Sequence, residues 1–223
     1  MWRAGQAPCS PTLARPGAIR PGFSLSSGMR VGLFGGSFNP AHAGHRYVAD
    51  TARKHLGLDC VLWLVSPQNP LKDRAGMAPL PERLASARAL AHRDDIVTDF
   101  ETRIRATYTL DTLRALKGRF PGVKFVWLMG ADNLAQFHRW RGWLQIARLV
   151  PMAVIARPGA LIRSRLAPAA KRFAPYRHSS RKAHILADLP APAWTYLHVP
   201  LNTLSSTAIR QGRNPTEIIR DKL

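Results

Sequence analysis

The chain has 223 residues, 46% of them hydrophobic, with 33 Lys and Arg against 13 Asp and Glu and a formal net charge of +20. That length suits one domain whose core closes without disulfides or metal, and its two cysteines, Cys9 and Cys60, form no framework or metal-ligand spacing. No apolar run approaches the roughly 18 residues of a spanning helix, which excludes an integral helical membrane protein, while the charge favours anionic partners without choosing among nucleotides, nucleic acid and an anionic surface.

Residues 1–28 carry four Pro, four Gly, four Ser, three Arg and no acidic residue, with neither a helical nor a strand period. This composition predicts a disordered basic extension, or a mis-assigned start, since Met29 immediately precedes the first strong strand. The functional domain is therefore expected in residues 29–223. An apolar run from Arg30 to Phe34 ends in Gly35-Gly36, and a helix from Gly44 to Leu56 is closed by Gly57. Cys60 to Ser66 reads as a buried strand. A Pro-rich loop leads into a helix from Pro81 to about His92, then a strand from Ile96 to Phe100 and a helix from Thr109 to Lys117, stopped by Gly118.

Lys124 to Met129 is another buried strand, with short helices following as far as Leu149. Met152 to Ala156 is a fifth strand, ended by Arg157-Pro158-Gly159, and a basic, poorly periodic region follows. Trp194 to Val199 is the last strand, and Ser206 to Gln211 opens a terminal helix. Strands apolar on both faces, alternating with helices, predict a single α/β domain built on a parallel sheet.

The segment Val31 to His45 carries the sharpest chemistry. A buried strand runs into Gly35-Gly36, where missing side chains let a backbone approach a ligand, at the strand end where parallel sheets bind ligands. His42 and His45 fall three apart at a helix start, so two imidazoles share one turn beside a helix N-terminus, a setting suited to phosphate. Two histidines at that spacing make an incomplete zinc site, and no Cys or carboxylate cluster nearby completes it. The alternative is a pair of surface histidines at an ordinary strand–turn–helix corner.

The stretch from Gly35 to His45 resembles the His-x-Gly-His signature of the nucleotidyltransferase superfamily. Three more segments, Thr107 to Thr112, Gly130 to Asn133 leading to Trp140, and Ser205 to Arg210, narrow the resemblance to the nicotinate-nucleotide adenylyltransferases, over nearly all of residues 30–223. Leu204 stands where Ile is commoner in that family, and residues 1–28 have no counterpart in its usual pattern. The resemblance implies a Rossmann-like doubly wound parallel sheet with helices on both faces, a cytoplasmic enzyme, and transfer of AMP from ATP to nicotinate mononucleotide, giving deamido-NAD and pyrophosphate. It implies that ATP lies on Gly35, Gly36, Ser37, Phe38 and Gly130, with His42, His45, Ser206, Thr207 and Arg210 on its phosphates. Lys72 is implied as a loop lysine reaching the phosphates, making His42, His45, Lys72 and Arg210 the catalytic set. For the mononucleotide the resemblance implies Trp140 stacked on the ring, Thr109 and nearby amides at its carboxylate, Asp132 at ribose hydroxyls, and Asn39 and Arg157 close by. Mg²⁺ is implied as a cofactor held mainly by the ATP phosphates, with no metal ligands from the protein.

Each residue also has a plainer reading: Thr109 and Asp132 as helix caps, Trp140 as a rim aromatic, Lys72 as a solvated lysine, the Ser-Ser-Thr stretch as a capped helix. Another acceptor, such as nicotinamide mononucleotide, phosphopantetheine or flavin mononucleotide, is the nearest alternative function. A cytidylyltransferase or an aminoacyl-tRNA synthetase shares the glycine–histidine corner, but the chain has no anticodon module and no Lys-Met-Ser-Lys-Ser loop. From a different class, the basic stretch Arg157 to Lys182, interspersed with Phe173 and Tyr176, has the makings of a nucleic-acid surface. It matches no recognised module.

Overall fold

Strands that are apolar on both faces need cover on both sides, and the order of elements along this chain supplies it. The computed structural model describes residues 22–67, 76–156 and 164–198. Seven strands form one sheet: β1 (Arg30–Gly36), β2 (Cys60–Val65), β3 (Ile96–Thr98), β4 (Lys124–Gly130), β5 (Met152–Ala156), β6 (Arg177–His178) and β7 (Trp194–His198). Their order across the sheet is β3-β2-β1-β4-β5-β7-β6, and every pairing is parallel. All residues of β2 and β5 are buried, as expected of strands sandwiched between helices.

Alternation along the strands divides the core. One face gathers Leu33, Leu62, Leu64, Trp127 and Met129 under α4 (Thr109–Arg119) and α6 (Trp143–Leu149). The other gathers Phe34, Trp63, Val65, Leu128 and Ile155 under α1 (Ala43–Leu56). Helix α1 buries Val48, Ala49, Ala52 and Leu56, an i, i+4 stripe, and ends on Gly57 at φ +61°, the left-handed conformation in which glycine is the usual residue.

Chain order reverses between β1 and β4, so the carboxyl ends of these two strands open the crevice where doubly wound sheets bind ligands. Phe34 lies opposite Leu128, which brings Gly36 and Gly130 to that opening together. Helix α2 (Leu80–Leu90) packs on the β2 side, and the short helices α3 (Phe100–Arg103) and α5 (Ala131–Gln136) follow β3 and β4 directly.

The structure departs from expectation in small elements. Strand β3 stops at Thr98 because Phe100 turns into α3, and α4 runs on to Arg119 past Gly118. The basic region holds α7 (Pro168–Arg172), β6 and a 3-10 segment from Ser180 to Asp188, pieces too short to show a period. Residues 22–28, expected within the extension, reach the domain: Leu25 is buried, and Phe23 packs against Phe100 and Phe120 at 5.9 and 5.5 Å.

Two buried carboxylates organise the β2–β3 edge. The Asp95 side chain has no exposure. It accepts from Arg53 Nη2 at 3.1 Å, Trp63 Nε1 at 3.1 Å and the Val61 and His92 N–H groups at 3.0 and 3.3 Å. Glu101 is buried beside Thr112, whose hydroxyl donates to Oε1 at 3.1 Å; burial raises its pKa from the ordinary 4.5 to about 7, against that hydrogen bond's lowering effect. A carboxyl whose folded pKa is raised binds more protons folded than unfolded, so stability falls as pH rises from about 4.5 to 7. Glu101→Gln keeps an acceptor for Thr112 without a charge. Its stability gain over the native chain should grow from near zero at the acid end of that window to about 3 kcal/mol at pH 8. Denaturant melts across the range check this, and a gain independent of pH would contradict it.

Candidate active site

The histidine pair is built by the helix it starts. His42 is the N-cap of α1, with extended backbone, and its Nδ1 accepts the Gly44 N–H at 3.1 Å. His45 Nδ1 reaches back to accept the His42 N–H at 3.2 Å, completing a reciprocal capping box. Imidazoles thus do what Ser and Glu do in the common version of that motif. Because each Nδ1 accepts, each ring when neutral carries its proton on Nε2, giving two N–H donors of the same kind. The ring centroids lie 3.8 Å apart, beside the N-terminus of a 14-residue helix, where an anion meets the positive end of the dipole.

Aromatic rings fill the space that the two glycines leave. A Cβ on Gly35 would stand 2.7 Å from Trp127 Cη2, and one on Gly36 3.1 Å from the Phe38 ring. The turn is clamped between Trp127 on one face of the sheet and Phe38 on the other. Phe38 holds a left-handed φ of +47°, costly for a residue with a side chain. Its ring, 1% exposed, is held by Phe34, Trp63 and His45 at 5.4, 5.2 and 5.0 Å. The Asn39–Pro40 peptide is cis.

Behind this turn sits Arg83, a residue that sequence reasoning passed over. It is 2% exposed and donates to four backbone carbonyls: Ala78 from Nε at 2.9 Å, Ser37 and Ser66 from Nη1 at 2.8 and 2.7 Å, and Pro67 from Nη2 at 3.1 Å. One buried guanidinium thereby ties the ends of β1 and β2 to the start of α2. Burial lowers its pKa. The signal was available: Arg83 lies among Leu84 and Ala87 on the inward face of α2, where a charge needs a structural reason. Asn39 adds to the frame, its amide donating to Gly76 O and accepting the Ala78 N–H, both at 2.9 Å.

On the β4 side, Gly130 is the N-cap of α5, and the Asp132 carboxylate folds back over it. Asp132 itself is exposed. Half-buried Trp140 meets Trp127 and Phe137 edge-to-face at 6.2 and 5.5 Å. Trp127 thus links the glycine turn to Trp140. Thr109 is the first residue of α4 after the N-cap Tyr108, and no side chain caps that end, so its first N–H groups are available to an anion. Residues 140–142 lie against this end: Gly142, at φ +68°, comes so close to Leu110 that a Cβ would stand 2.5 Å from Cδ2, and the Arg141 guanidinium lies 4.6 Å above the Tyr108 ring.

The structure therefore brings together Gly35, Gly36, Ser37, His42, His45 and Gly130 around the β1–β4 opening, with Trp140 joined to it through Trp127. Lys72, Arg157, Ser206, Thr207 and Arg210 lie outside the described residues, as do Val199 and the helix expected from Ser206. In the basic segment Arg177 covers the rings of Trp194 and Tyr196 at 5.7 and 5.8 Å. Among the described residues there is no group of three or more His, Cys, Asp or Glu able to hold a metal, and no helix is long and apolar enough to cross a membrane.

The cytidylyltransferase-like family model matches residues 33–212. The chain is 62% identical over 183 residues to a protein of a Caulobacter species named a probable nicotinate-nucleotide adenylyltransferase, covering 82% of this chain and 97% of that one. It is 50% identical over 209 residues to a protein of the same name from Ruegeria pomeroyi, covering 89% and 98%. Among solved structures, the Plasmodium falciparum nicotinic acid mononucleotide adenylyltransferase complexed with NaAD shares the fold, with a TM-score of 0.63 at 15% identity over 86% of this chain and 89% of that one.

Proposed function

The chain belongs to the nicotinate-nucleotide adenylyltransferase family, and from that premise we propose that it transfers AMP from ATP to nicotinate mononucleotide. The products are nicotinate adenine dinucleotide and pyrophosphate. The observation that supports the reading is the reciprocal cap of His42 and His45, which holds two like imidazoles on one helix end directly after β1, the strand beside which chain order reverses.

A 5′-phosphate oxygen of the mononucleotide attacks the α-phosphorus of ATP in line, a new P–O bond forms, and the bond from the α-phosphorus to the bridging oxygen breaks as pyrophosphate leaves. A phosphate monoester is already nucleophilic, so neither a strong base nor a covalent nucleophile is needed. The chain's contribution is position and charge. His42 and His45 donate from Nε2 to phosphate oxygens that gain charge as the bond breaks. The Gly35-Gly36-Ser37 backbone, held from behind by Arg83, sets the floor of the ATP site. The reading gives Lys72, Ser206, Thr207 and Arg210 phosphate-binding roles and Arg157 a role in binding the mononucleotide.

Trp140 stacks on the nicotinate ring, the uncapped end of α4 at Thr109 receives its carboxylate, and Asp132 and Asn39 border the ribose. Trp140→Ala should raise KM for nicotinate mononucleotide about 5- to 150-fold, as loss of about 1–3 kcal/mol of ring stacking implies, with KM for ATP little changed. Steady-state kinetics with each substrate varied checks this, and a change confined to ATP would contradict the stacking role.

Magnesium fits these residues as a passenger on ATP. The donors that face the crevice are N–H groups suited to anions, and an ion bound through substrate phosphates needs no carboxylate cage. When bound it offsets phosphate charge. The reading places the enzyme in the cytoplasm with two polyanionic substrates, which gives part of the +20 net charge a use.

The test is pyrophosphate release with ATP and Mg²⁺, comparing nicotinate and nicotinamide mononucleotide. Strong preference for nicotinate is expected, because a site that pairs a carboxylate discriminates against the amide. Equal use of both would remove the carboxylate assignment at Thr109. No release with either would point to another acceptor.

A further inference from the structure

Next to Trp140 the chain carries a cation that the reading above leaves unused. Arg141 is exposed, and among the described residues it forms no ion pair with a carboxylate. It is nonetheless held in place, its guanidinium carbon 4.6 Å from the centroid of the Tyr108 ring. Tyr108 is the N-cap of α4, with extended backbone (φ −119°, ψ 141°) and no side-chain bond to the helix end. What it contributes is a ring face, and a guanidinium over such a face is attracted by the ring quadrupole. The backbone keeps the two together: Gly142, next to Arg141, packs on Leu110, two residues beyond Tyr108. The loop that carries Trp140 and the helix end that carries Thr109 are therefore docked at two points, and the charge sits at the joint.

We propose that Arg141 is a specificity-determining residue for the acceptor, its guanidinium held over Tyr108 to favour a ring bearing a carboxylate over one bearing a carboxamide. The proposal deepens the assignment of nicotinate mononucleotide and rests on it. Backbone N–H groups at the start of α4 bond an oxygen of either group, since a carboxamide also presents an acceptor. They discriminate only through partial charge. A full positive charge beside them attracts the carboxylate and gains almost nothing from the neutral amide. Asp111, in the first turn of α4, puts a negative charge at the same helix end and works against an anion there, which a cation at Arg141 offsets.

The test compares kcat/KM for nicotinate and nicotinamide mononucleotide in the native chain and in Arg141→Gln, which keeps most of the side chain's length. The ratio of the two values should fall about tenfold, with the loss in KM for the nicotinate form and kcat nearly unchanged. Arg141→Lys should keep most of the preference at low salt and lose part of it as ionic strength rises. Tyr108→Phe, which retains a ring face, should leave the ratio unaltered, whereas Tyr108→Leu should lower it. Equal losses on both acceptors in Arg141→Gln, or an unchanged ratio, would overturn the role of Arg141 while the native chain's own preference still supports the acceptor. A native chain indifferent between the two would overturn both.

Discussion

Replacing His45 by alanine should lower kcat at least a hundredfold while leaving the fold in place. The ring has two jobs that separate cleanly. Structurally, Nδ1 accepts one N–H at the start of α1, a capping contact worth about 1 kcal/mol; His42 still caps Gly44 without it. In the proposed reaction the Nε2 donor would meet oxygens that gain charge as the α-phosphorus changes partners, and removing one such preorganised donor costs about 2.7–4 kcal/mol of transition-state stabilisation. The expected signature is a small drop in melting temperature beside a large drop in kcat, with KM for ATP moving less. Circular-dichroism melts and pyrophosphate-release kinetics on the same preparation read both. Unchanged kcat in a folded variant would sink the assignment.

Asp95→Ala should produce the reverse pattern, a large loss of stability from a residue that touches no substrate. The substitution strips partners from Arg53, whose side chain is 17% exposed, from the Trp63 indole and from the Val61 and His92 amides. Among the described residues Arg53 then keeps only Asp50, at 3.4 Å on the surface. Breaking a buried pair from one side costs about 3–5 kcal/mol because the remaining charge stays desolvated. For a domain of this size that lowers the midpoint of thermal unfolding by about 10 °C. Asp95→Asn keeps an acceptor and should lose less. A midpoint within a degree or two of native for Asp95→Ala would refute the account. The effect should also reach the site, since Trp63 supports the Phe38 ring.

The sheet was legible because a parallel strand buried on both faces writes an unbroken apolar run, as in Cys60–Val65 and Met152–Ala156. The ligand-binding end of β1 followed from Gly35-Gly36 at the end of the first such run, whereas the reversal of strand order beside it emerged only from the sheet. Elements of two to five residues, such as β6 and α7, are too brief for a period to emerge, and only tertiary contacts define them. Within the site, motif residues could be named from sequence, but their supports could not. Asp95 follows another aspartate in a charged turn that looks solvated. Arg83 and Asn39 spend their side chains on backbone atoms some 40 positions away, and a hydrogen bond to a carbonyl leaves no trace in the identity of the residue that offers it. The glycine pair illustrates the same limit: the sequence announces room for something, and the fold decides that rings occupy it.

That occupancy binds the fates of four positions. With Trp127 seated over Gly35 and Phe38 over Gly36, a side chain can enter at 35 only when the ring at 127 moves, and at 36 only when the tightly held ring at 38 gives way by a few tenths of an ångström. A single substitution at the turn is thus strained, most of all at 35, and a smaller ring at 127 or 38 relieves it. The turn also needs no nucleotide to acquire its shape. On the proposed reading, ATP would meet a backbone braced by the chain's own rings, so little of its binding energy would go into ordering that turn.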